Sequence, residues 1–113
     1  MPGIVNCPRL EGKLDGESGA QGLTFRTVFA REAGFQMPVT YNDIAPGGKS
    51  KSHSHPDEHI VFVVKGAGKL FCGDSGYDIS EGTAIYLASD EPHCFHNTGK
   101  ETLVTFGIRG PLP

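Results

Sequence analysis

The sequence predicts an all-β fold, a barrel or sandwich built from short strands. Sixteen Gly and eight Pro residues are spread along the 113 residues and separate short apolar runs. No stretch has the convincing 3.6-residue period of a helix, and a chain of this length buries a single core without disulfides. We therefore expect one domain over residues 21–113, preceded by an N-terminal arm over residues 1–20, which carry little pattern.

Seven strands are expected, and glycine-rich turns separate them. The expected strands cover residues 23–30, 37–44, 59–64, 69–72, 83–87, 93–97 and 102–108. Pro46-Gly47-Gly48 is expected to end the second strand, and Gly66-Ala67-Gly68 and Gly73-Asp74-Ser75-Gly76 are expected to form hairpin turns. The third strand is rich in β-branched and aromatic residues, which predicts burial on both faces or nearly so.

Four histidines indicate the chemistry of this chain. His53, His55 and His59 occupy positions i, i+2 and i+6, which share one face of an extended strand because side chains alternate. The same offsets would scatter the three rings around a helix, and Pro56 interrupts the segment. Together with His93 downstream, the run predicts a metal site.

His96 and the three cysteines receive structural interpretations. His96 lies three residues after His93, so alternation points it to the opposite face, at the surface or an interface. Cys7, Cys72 and Cys94 are an odd number at wide spacing without a CxxC pair, which favours reduced thiols. Alternation also turns Cys94 away from the face that His93 uses, and we interpret it as an inert thiol.

Charge and hydropathy argue against two classes of partner. The chain has 13 acidic and 10 basic residues and a net charge of -3, with its lysines and arginines dispersed, so nucleic-acid binding is not expected. No apolar run approaches the roughly 20 residues needed to cross a bilayer, and the N-terminus lacks the apolar segment of a signal peptide. We expect a soluble cytoplasmic protein with a small-molecule ligand.

Two spaced motifs resemble those of the cupin superfamily. The pattern Gly47-x5-His53-x-His55-x3-His59-x6-Gly66 is similar to the first cupin motif, in which a glycine, two histidines, a carboxylate and a final glycine fall at these spacings. The resemblance extends over roughly residues 20–108. It implies the cupin-type double-stranded β-helix, a jelly-roll barrel.

The second cupin motif is matched more loosely. Gly82 fits its internal glycine, and His93-x3-Asn97 fits its histidine and asparagine. Ser80 replaces the usual proline and Asp90 a usual glycine. These departures concern turns, and the pairing of two spaced motifs is more specific than either motif alone.

His59 is the main departure from the family pattern. It stands where most cupins carry a glutamate ligand, while Glu58 lies one place earlier and should face away from the pocket by alternation. A bulge at Pro56 would reverse that assignment. With the register as written, the chain resembles small single-domain cupins that hold their metal with four histidines. The resemblance also implies a homodimer, in which the N-terminal arm could add a strand to the partner.

The ligand set predicts one divalent transition metal ion. Neutral imidazoles suit Mn, Fe, Co, Ni, Cu and Zn, and catalytic zinc usually takes only three protein ligands plus water, so four histidines with room for more favour Mn or Fe. Histidine in place of glutamate removes one negative charge from the site. The ion therefore keeps its whole +2 charge and should attract an anionic ligand.

The family implies several activities, and the fold does not choose among them. Three- and four-histidine cupins include oxygenases that cleave carbon–carbon bonds, while other cupins are isomerases, decarboxylases, lyases or sugar-binding proteins. Our interpretation is a metal-dependent oxygenase or related oxidoreductase acting on a small anionic, enolisable or phenolic molecule. The alternatives are a non-catalytic module that binds a sugar or carboxylate, and a cupin isomerase, lyase or decarboxylase.

Four residues are candidates for the substrate pocket. Gln36 and Tyr41 flank a strand that cupins use as a pocket wall, Phe95 lies two residues beyond His93 on the same face, and Phe106 belongs to the last strand. The phenylalanines suit the barrel core equally, because apolar side chains fill the interiors of small barrels. No general acid or base is assigned.

Overall fold

Residues 2–113, the part of the chain that the computed structural model describes, hold nine strands and two single-turn 3-10 helices. The strands are β1 (Lys13–Leu14), β2 (Gln21–Phe29), β3 (Val39–Lys49), β4 (His59–Lys65), β5 (Ala67–Cys72), β6 (Ser75–Ser80), β7 (Ala84–Leu87), β8 (Cys94–His96) and β9 (Leu103–Arg109). The 3-10 helices are Cys7–Arg9 and Arg31–Ala33. The expected all-β jelly-roll barrel is confirmed.

The sheet curls because β3 belongs to both halves of the barrel. The strand order is β6-β5-β8-β3-β9-β4-β7, β2 also pairs with β3, and every pairing is antiparallel. The first part of β3, up to Ile44, pairs with β9, whereas Lys49 at its end pairs with His96 of β8. The chain crosses from one half to the other between β4 and β5 and at each step from β6 to β9, as in a jelly roll.

Two glycine segments differ from their predicted roles. β3 continues through Pro46-Gly47-Gly48, where the register with β2 shifts and Gly47 has a φ of 79°, so the segment is a bulge and not a strand end. Gly66 separates β4 from β5, but these strands pair with different neighbours. The segment is thus a crossing between the two halves and not a hairpin turn. The β5–β6 hairpin at Gly73-Asp74 is confirmed by the pairing of Cys72 with Ser75.

β4 is buried on one face only, which corrects the prediction of burial on both. Val61 and Val63 are 3% and 0% exposed, whereas Ile60 and Phe62 between them are 51% and 43% exposed. The apolar residues on the outer face had concealed the alternation that a half-buried strand normally shows.

Two strands were not anticipated. β6 exposes five of its six residues, and only Ile79 is buried, so the strand carries no apolar alternation. β1, in the segment predicted as an arm, has two exposed residues and pairs with β2 through Leu14 and Thr24. Residue 1 of the predicted arm lies outside the described residues.

Among the described residues, nine buried apolar side chains form one core cluster, drawn from both halves of the barrel. They are Leu23, Ile44, Val61, Val63, Leu70, Ile79, Leu87, Phe95 and Leu103. Four of them, Leu23, Ile44, Val61 and Phe95, also line a cavity inside the barrel. None of the helices described in residues 2–113 is long and apolar enough to span a membrane.

Candidate metal centre

The imidazoles of the four histidines that were predicted as metal ligands lie close together at the cavity. Ring centres lie 4.5 Å apart for His53 and His93, 5.2 Å for His55 and His93, and 5.3 Å for His55 and His59. Reciprocal backbone hydrogen bonds of 3.1 and 2.9 Å between His53 and His93 join the two parts of the chain that carry them. All four side chains line the same cavity.

The histidine run is less regular than the predicted strand. His53 forms an isolated bridge with His93, the chain bends at Pro56 and Asp57, and regular pairing begins only at His59. The bend fits the missing N–H of proline, which cannot donate to a sheet ladder. The convergence of the rings therefore depends on side-chain contacts in this bend as well as on alternation.

Backbone carbonyls orient three of the rings. The Nδ1 atom of each lies close to a carbonyl oxygen two residues away, at 3.1 Å for His53, 2.9 Å for His55 and 2.9 Å for His93. A carbonyl only accepts hydrogen bonds, so Nδ1 of the neutral ring donates its proton and Nε2 carries the lone pair. Ring nitrogens of these three histidines that could bind a metal ion lie within 4.8 Å of one another.

The remaining ring nitrogens fit a metal ion. Nε2 of His55, Nε2 of His93 and both ring nitrogens of His59 are buried without a hydrogen-bond partner among residues 2–113. Buried polar atoms in proteins are normally paired, because an unpaired one carries the cost of its desolvation. Coordination of a divalent ion would use these lone pairs.

His59 occupies a different position from the other three. Its ring centre is 5.3 Å from that of His55 and 5.8 Å from that of His93, and its nitrogens lie outside the 4.8 Å group. A Cβ added to Gly107 of β9 would lie 2.8 Å from His59 Nε2, closer than real Cβ atoms approach. Glycine at this position leaves the room that the imidazole occupies.

Burial favours the neutral imidazoles that metal binding requires. It lowers the pKa of His53 and of His93 below the ordinary value. Burial, together with the charges of His55 and His93, lowers the pKa of His59 to about 3. The rings are thus available as lone-pair donors without first losing a proton.

Asp57 is a buried carboxylate that the sequence analysis did not single out. Its side chain is 0% exposed and lies beside His55, Arg31 and Arg109. Burial on its own would raise the pKa of the Asp57 carboxyl, but the hydrogen bonds and charge of Arg109 outweigh it and hold that pKa below the ordinary value. The even spacing from His55 to Asp57 was the signal in the sequence that could have placed both on one face.

Glu58 and His96 lie away from the cavity. The exposed Glu58 carboxylate accepts a hydrogen bond of 2.8 Å from the hydroxyl of Tyr86. His96 packs against the ring of Phe71 at 4.8 Å between ring centres, on the face where Cys94 pairs with Phe71. Neither side chain is placed to complete the histidine cluster.

The cavity has a volume of about 810 Å³ and walls of mixed character. One part of the wall is apolar and includes Leu14, Leu23, Phe25, Val61 and Phe95. Another part is polar and includes Thr40, Asn42, Lys51, Thr105 and Arg109. Oδ1 of Asn42 is buried and has no hydrogen-bond partner among the described residues, so it can accept one from a ligand.

Of the four pocket candidates, Phe95 lines the cavity and the other three lie elsewhere. Tyr41 faces outward, where the Arg26 guanidinium lies 5.8 Å from its ring centre, and Phe106 is its cross-strand partner. Gln36 is exposed in the loop before β3. Side chains alternate along β3, and Thr40 and Asn42 on either side of Tyr41 point into the cavity, so Tyr41 points outward.

Most of this chain is similar to a known protein family. A family model for the cupin domain, Cupin_2, matches residues 41–108. No curated protein matches the chain significantly.

Similar folds occur among solved structures. The polyketide cyclase RemF from Streptomyces resistomycificus has a TM-score of 0.86 and 24% identity, covering 100% of this chain and 81% of that chain. A predicted oxalate decarboxylase from Thermotoga maritima has a TM-score of 0.86 and 19% identity, covering 96% and 99%. A cupin-like protein from Thermotoga maritima has a TM-score of 0.78 and 24% identity, covering 90% and 80%. At these identities the likeness concerns the fold alone.

Proposed function

Because this chain belongs to the cupin family, we propose that it is a metal-dependent oxygenase or related oxidoreductase acting on a small anionic, enolisable or phenolic molecule. His53, His55, His59 and His93 hold one divalent transition metal ion, with Mn or Fe favoured over Ni, Cu, Co and Zn. The observation that carries the proposal is the convergence of four imidazoles in one cavity, where His55, His59 and His93 have buried ring nitrogens without a partner among the described residues.

The four ligands are not equivalent in this proposal. The rings of His53, His55 and His93 are oriented by backbone carbonyls and form the core of the site. His59 has no such partner among the described residues. We therefore propose that three histidines fix the position of the ion and that His59 completes the site as the most weakly held ligand.

The wall of the cavity supports a small substrate with both polar and apolar parts. The volume of about 810 Å³ is in the range of small-molecule sites. A divalent ion at the histidines supplies Lewis-acid stabilisation for an enolate or phenolate oxygen, together with redox chemistry. Arg109 provides a positive charge in the wall, Asn42 Oδ1 accepts a hydrogen bond from a substrate hydroxyl, and Phe25 and Phe95 exclude water from the apolar side.

Two measurements test this function in order. The first is the metal content of the purified protein, and the second is oxygen consumption after reconstitution with Fe, Mn, Cu or Ni in the presence of phenolic and diketone substrates. The His93→Ala variant is the control, because it removes a ligand from the core of the site. A metal-loaded protein that consumes no oxygen with any of these ions and substrates would contradict an oxygenase.

A redox-neutral reaction at the same site is the second candidate. Two of the similar structures are a polyketide cyclase and a predicted oxalate decarboxylase, and a cyclisation or decarboxylation also benefits from a cation that stabilises anionic oxygens. Substrate turnover that proceeds without oxygen would support this candidate over the oxygenase. Binding without turnover under either condition would support a non-catalytic binding module.

We also propose that the chain forms a homodimer through the outer face of β4, β7 and β9. Ile60, Phe62 and Tyr86 are 51%, 43% and 60% exposed. Strand register places Ile60 between Tyr86 and Ile108 and places Phe62 opposite Phe106, so the side chains form a continuous apolar patch. A second copy would remove that patch from water.

A further inference from the structure

We propose that Asp57, held between Arg31 and Arg109, positions His55 in the metal site and thereby sets the affinity of the site for its ion. This inference rests on the proposed metal site and assigns a role to a residue outside the histidine set. Asp57 is not itself proposed as a ligand of the ion. It acts through His55, and its effect is therefore expected in metal binding itself.

Three hydrogen bonds from two arginines hold the Asp57 carboxylate. Oδ2 accepts from Arg109 Nε at 2.8 Å and from Arg31 Nη2 at 3.0 Å. Oδ1 accepts from Arg109 Nη2 at 2.8 Å and lies 2.8 Å from His55 Nδ1. Oδ2 thus accepts two hydrogen bonds and Oδ1 accepts one, with the His55 ring as its further close contact, and the Arg109 pair is bidentate.

The arrangement clamps the His55 ring more firmly than its neighbours. His55 Nδ1 lies 2.9 Å from the main-chain oxygen of Asp57 and 2.8 Å from its carboxylate Oδ1. Within residues 2–113, Nδ1 of His53 and of His93, by contrast, has a backbone carbonyl as its only hydrogen-bond partner. A carboxylate on Nδ1 fixes the tautomer and increases the basicity of the opposite nitrogen, which makes Nε2 of His55 a stronger ligand.

Two arginines from distant parts of the chain hold the carboxylate in place. Arg31 lies in the second 3-10 helix and also donates to the carbonyls of Gln36 and Gly110, both at 3.0 Å. Arg109 ends β9, directly opposite His59 of β4, and lines the cavity. The bend that carries Asp57 is therefore tied to two other segments, and this compensates for the lack of regular strand pairing between His55 and His59.

The test compares Asp57→Asn with a matched control, Asp43→Asn. Asp43 also forms an ion pair with an arginine, Arg26, at 3.1 Å, but its side chain is 31% exposed and lies outside the cavity wall. The probe is Co²⁺, and the measurements are the dissociation constant by calorimetry and the visible absorption of the loaded protein. Asp57→Asn should weaken Co²⁺ binding about 10- to 100-fold, the usual effect of losing a partner of a metal-ligating histidine. Asp43→Asn should bind as the wild type does.

A double variant keeps the inference testable if Asp57→Asn alone fails to fold. Loss of the carboxylate charge leaves Arg31 and Arg109 close together without a counter-charge, so Asp57→Asn/Arg31→Met removes the excess positive charge while leaving His55 without its carboxylate. This variant should fold, as followed by circular dichroism, and bind Co²⁺ at least tenfold more weakly than wild type.

Two results would overturn the inference, and they have different meanings. A folded Asp57 variant that binds Co²⁺ within twofold of the wild type would refute the positioning role and leave the proposed function intact. A wild-type protein that binds no divalent ion would refute the proposed metal site, and the role of Asp57 with it.

Discussion

Replacing Gly107 with alanine should displace His59 and weaken metal binding. The new Cβ would lie 2.8 Å from His59 Nε2 and 3.1 Å from Thr40 Oγ1, whereas ordinary contact begins at 3.4 Å. The imidazole must therefore retreat by about 0.6 Å, the difference between 3.4 and 2.8 Å. Metal–ligand distances tolerate deviations of only about 0.2 Å, so this displacement would take His59 out of the coordination sphere proposed above.

The expected magnitude combines an effect on affinity with an effect on stability. Metal affinity should fall about 10- to 100-fold, as for other residues that support a ligand. Overpacking should lower the free energy of unfolding of the metal-free protein by about 1–3 kcal/mol. At roughly 4 °C per kcal/mol for a domain of this size, this corresponds to a fall in melting temperature of about 4–12 °C.

The assays are calorimetric titration with Co²⁺ and thermal unfolding followed by circular dichroism. Gly16→Ala is the matched control, because Gly16 also lines the cavity but a Cβ there meets no atom within 4 Å. If Gly107→Ala keeps the Co²⁺ affinity and melting temperature of the wild type, the conclusion that Gly107 leaves room for the His59 imidazole is refuted.

Three further predictions follow from the same geometry. His59→Ala should weaken Co²⁺ binding less than His93→Ala does, because a carbonyl orients the ring of His93 and not that of His59. Glu58→Ala should not change the affinity, since Glu58 bonds to Tyr86. Calorimetry of the three variants checks this, and a loss of affinity confined to Glu58→Ala would show that Glu58 is the ligand in place of His59. Burial and neighbouring charges lower the pKa of His59 from 6.5 to about 3, so the folded metal-free chain binds fewer protons than the unfolded chain between these values. Its free energy of unfolding in urea should therefore fall as the pH drops below about 6.5, and a value independent of pH from 7 to 5 would contradict the burial of these rings. Phe62→Lys should yield monomers in light scattering after gel filtration. Tyr77→Lys, which changes another exposed aromatic residue, on β6, should leave a dimer. A monomeric wild type would refute the dimer.

The fold and the histidine cluster could be predicted because their signals are local and periodic. The glycines and prolines mark the ends of most strands. The evenly spaced His53, His55 and His59 all line the cavity, even though the chain bends at Pro56. The resemblance to two spaced motifs placed His93 with these three histidines, which their spacing alone could not predict. Each of these features depends on a residue type or an interval visible in the sequence.

The remaining features depend on partners that lie far away in sequence. β6 was missed because an exposed edge strand needs no apolar alternation, and Tyr41 was assigned to the pocket because the parity of β3 becomes known only when its pairing with β9 is known. The sequence analysis assigned no role to Asp57, whose partners Arg31 and Arg109 are 26 and 52 residues away. Buried charge networks of this kind are properties of the folded chain and not of any local pattern.

The number of Co²⁺ ions bound per chain tests the central claim most directly. Metal-free protein titrated with Co²⁺ should bind one ion per chain, and the His53→Ala/His93→Ala double variant should bind none. A wild-type chain that takes up no ion, or a double variant that still binds one with wild-type affinity, would contradict the account of a histidine-held metal site in this barrel.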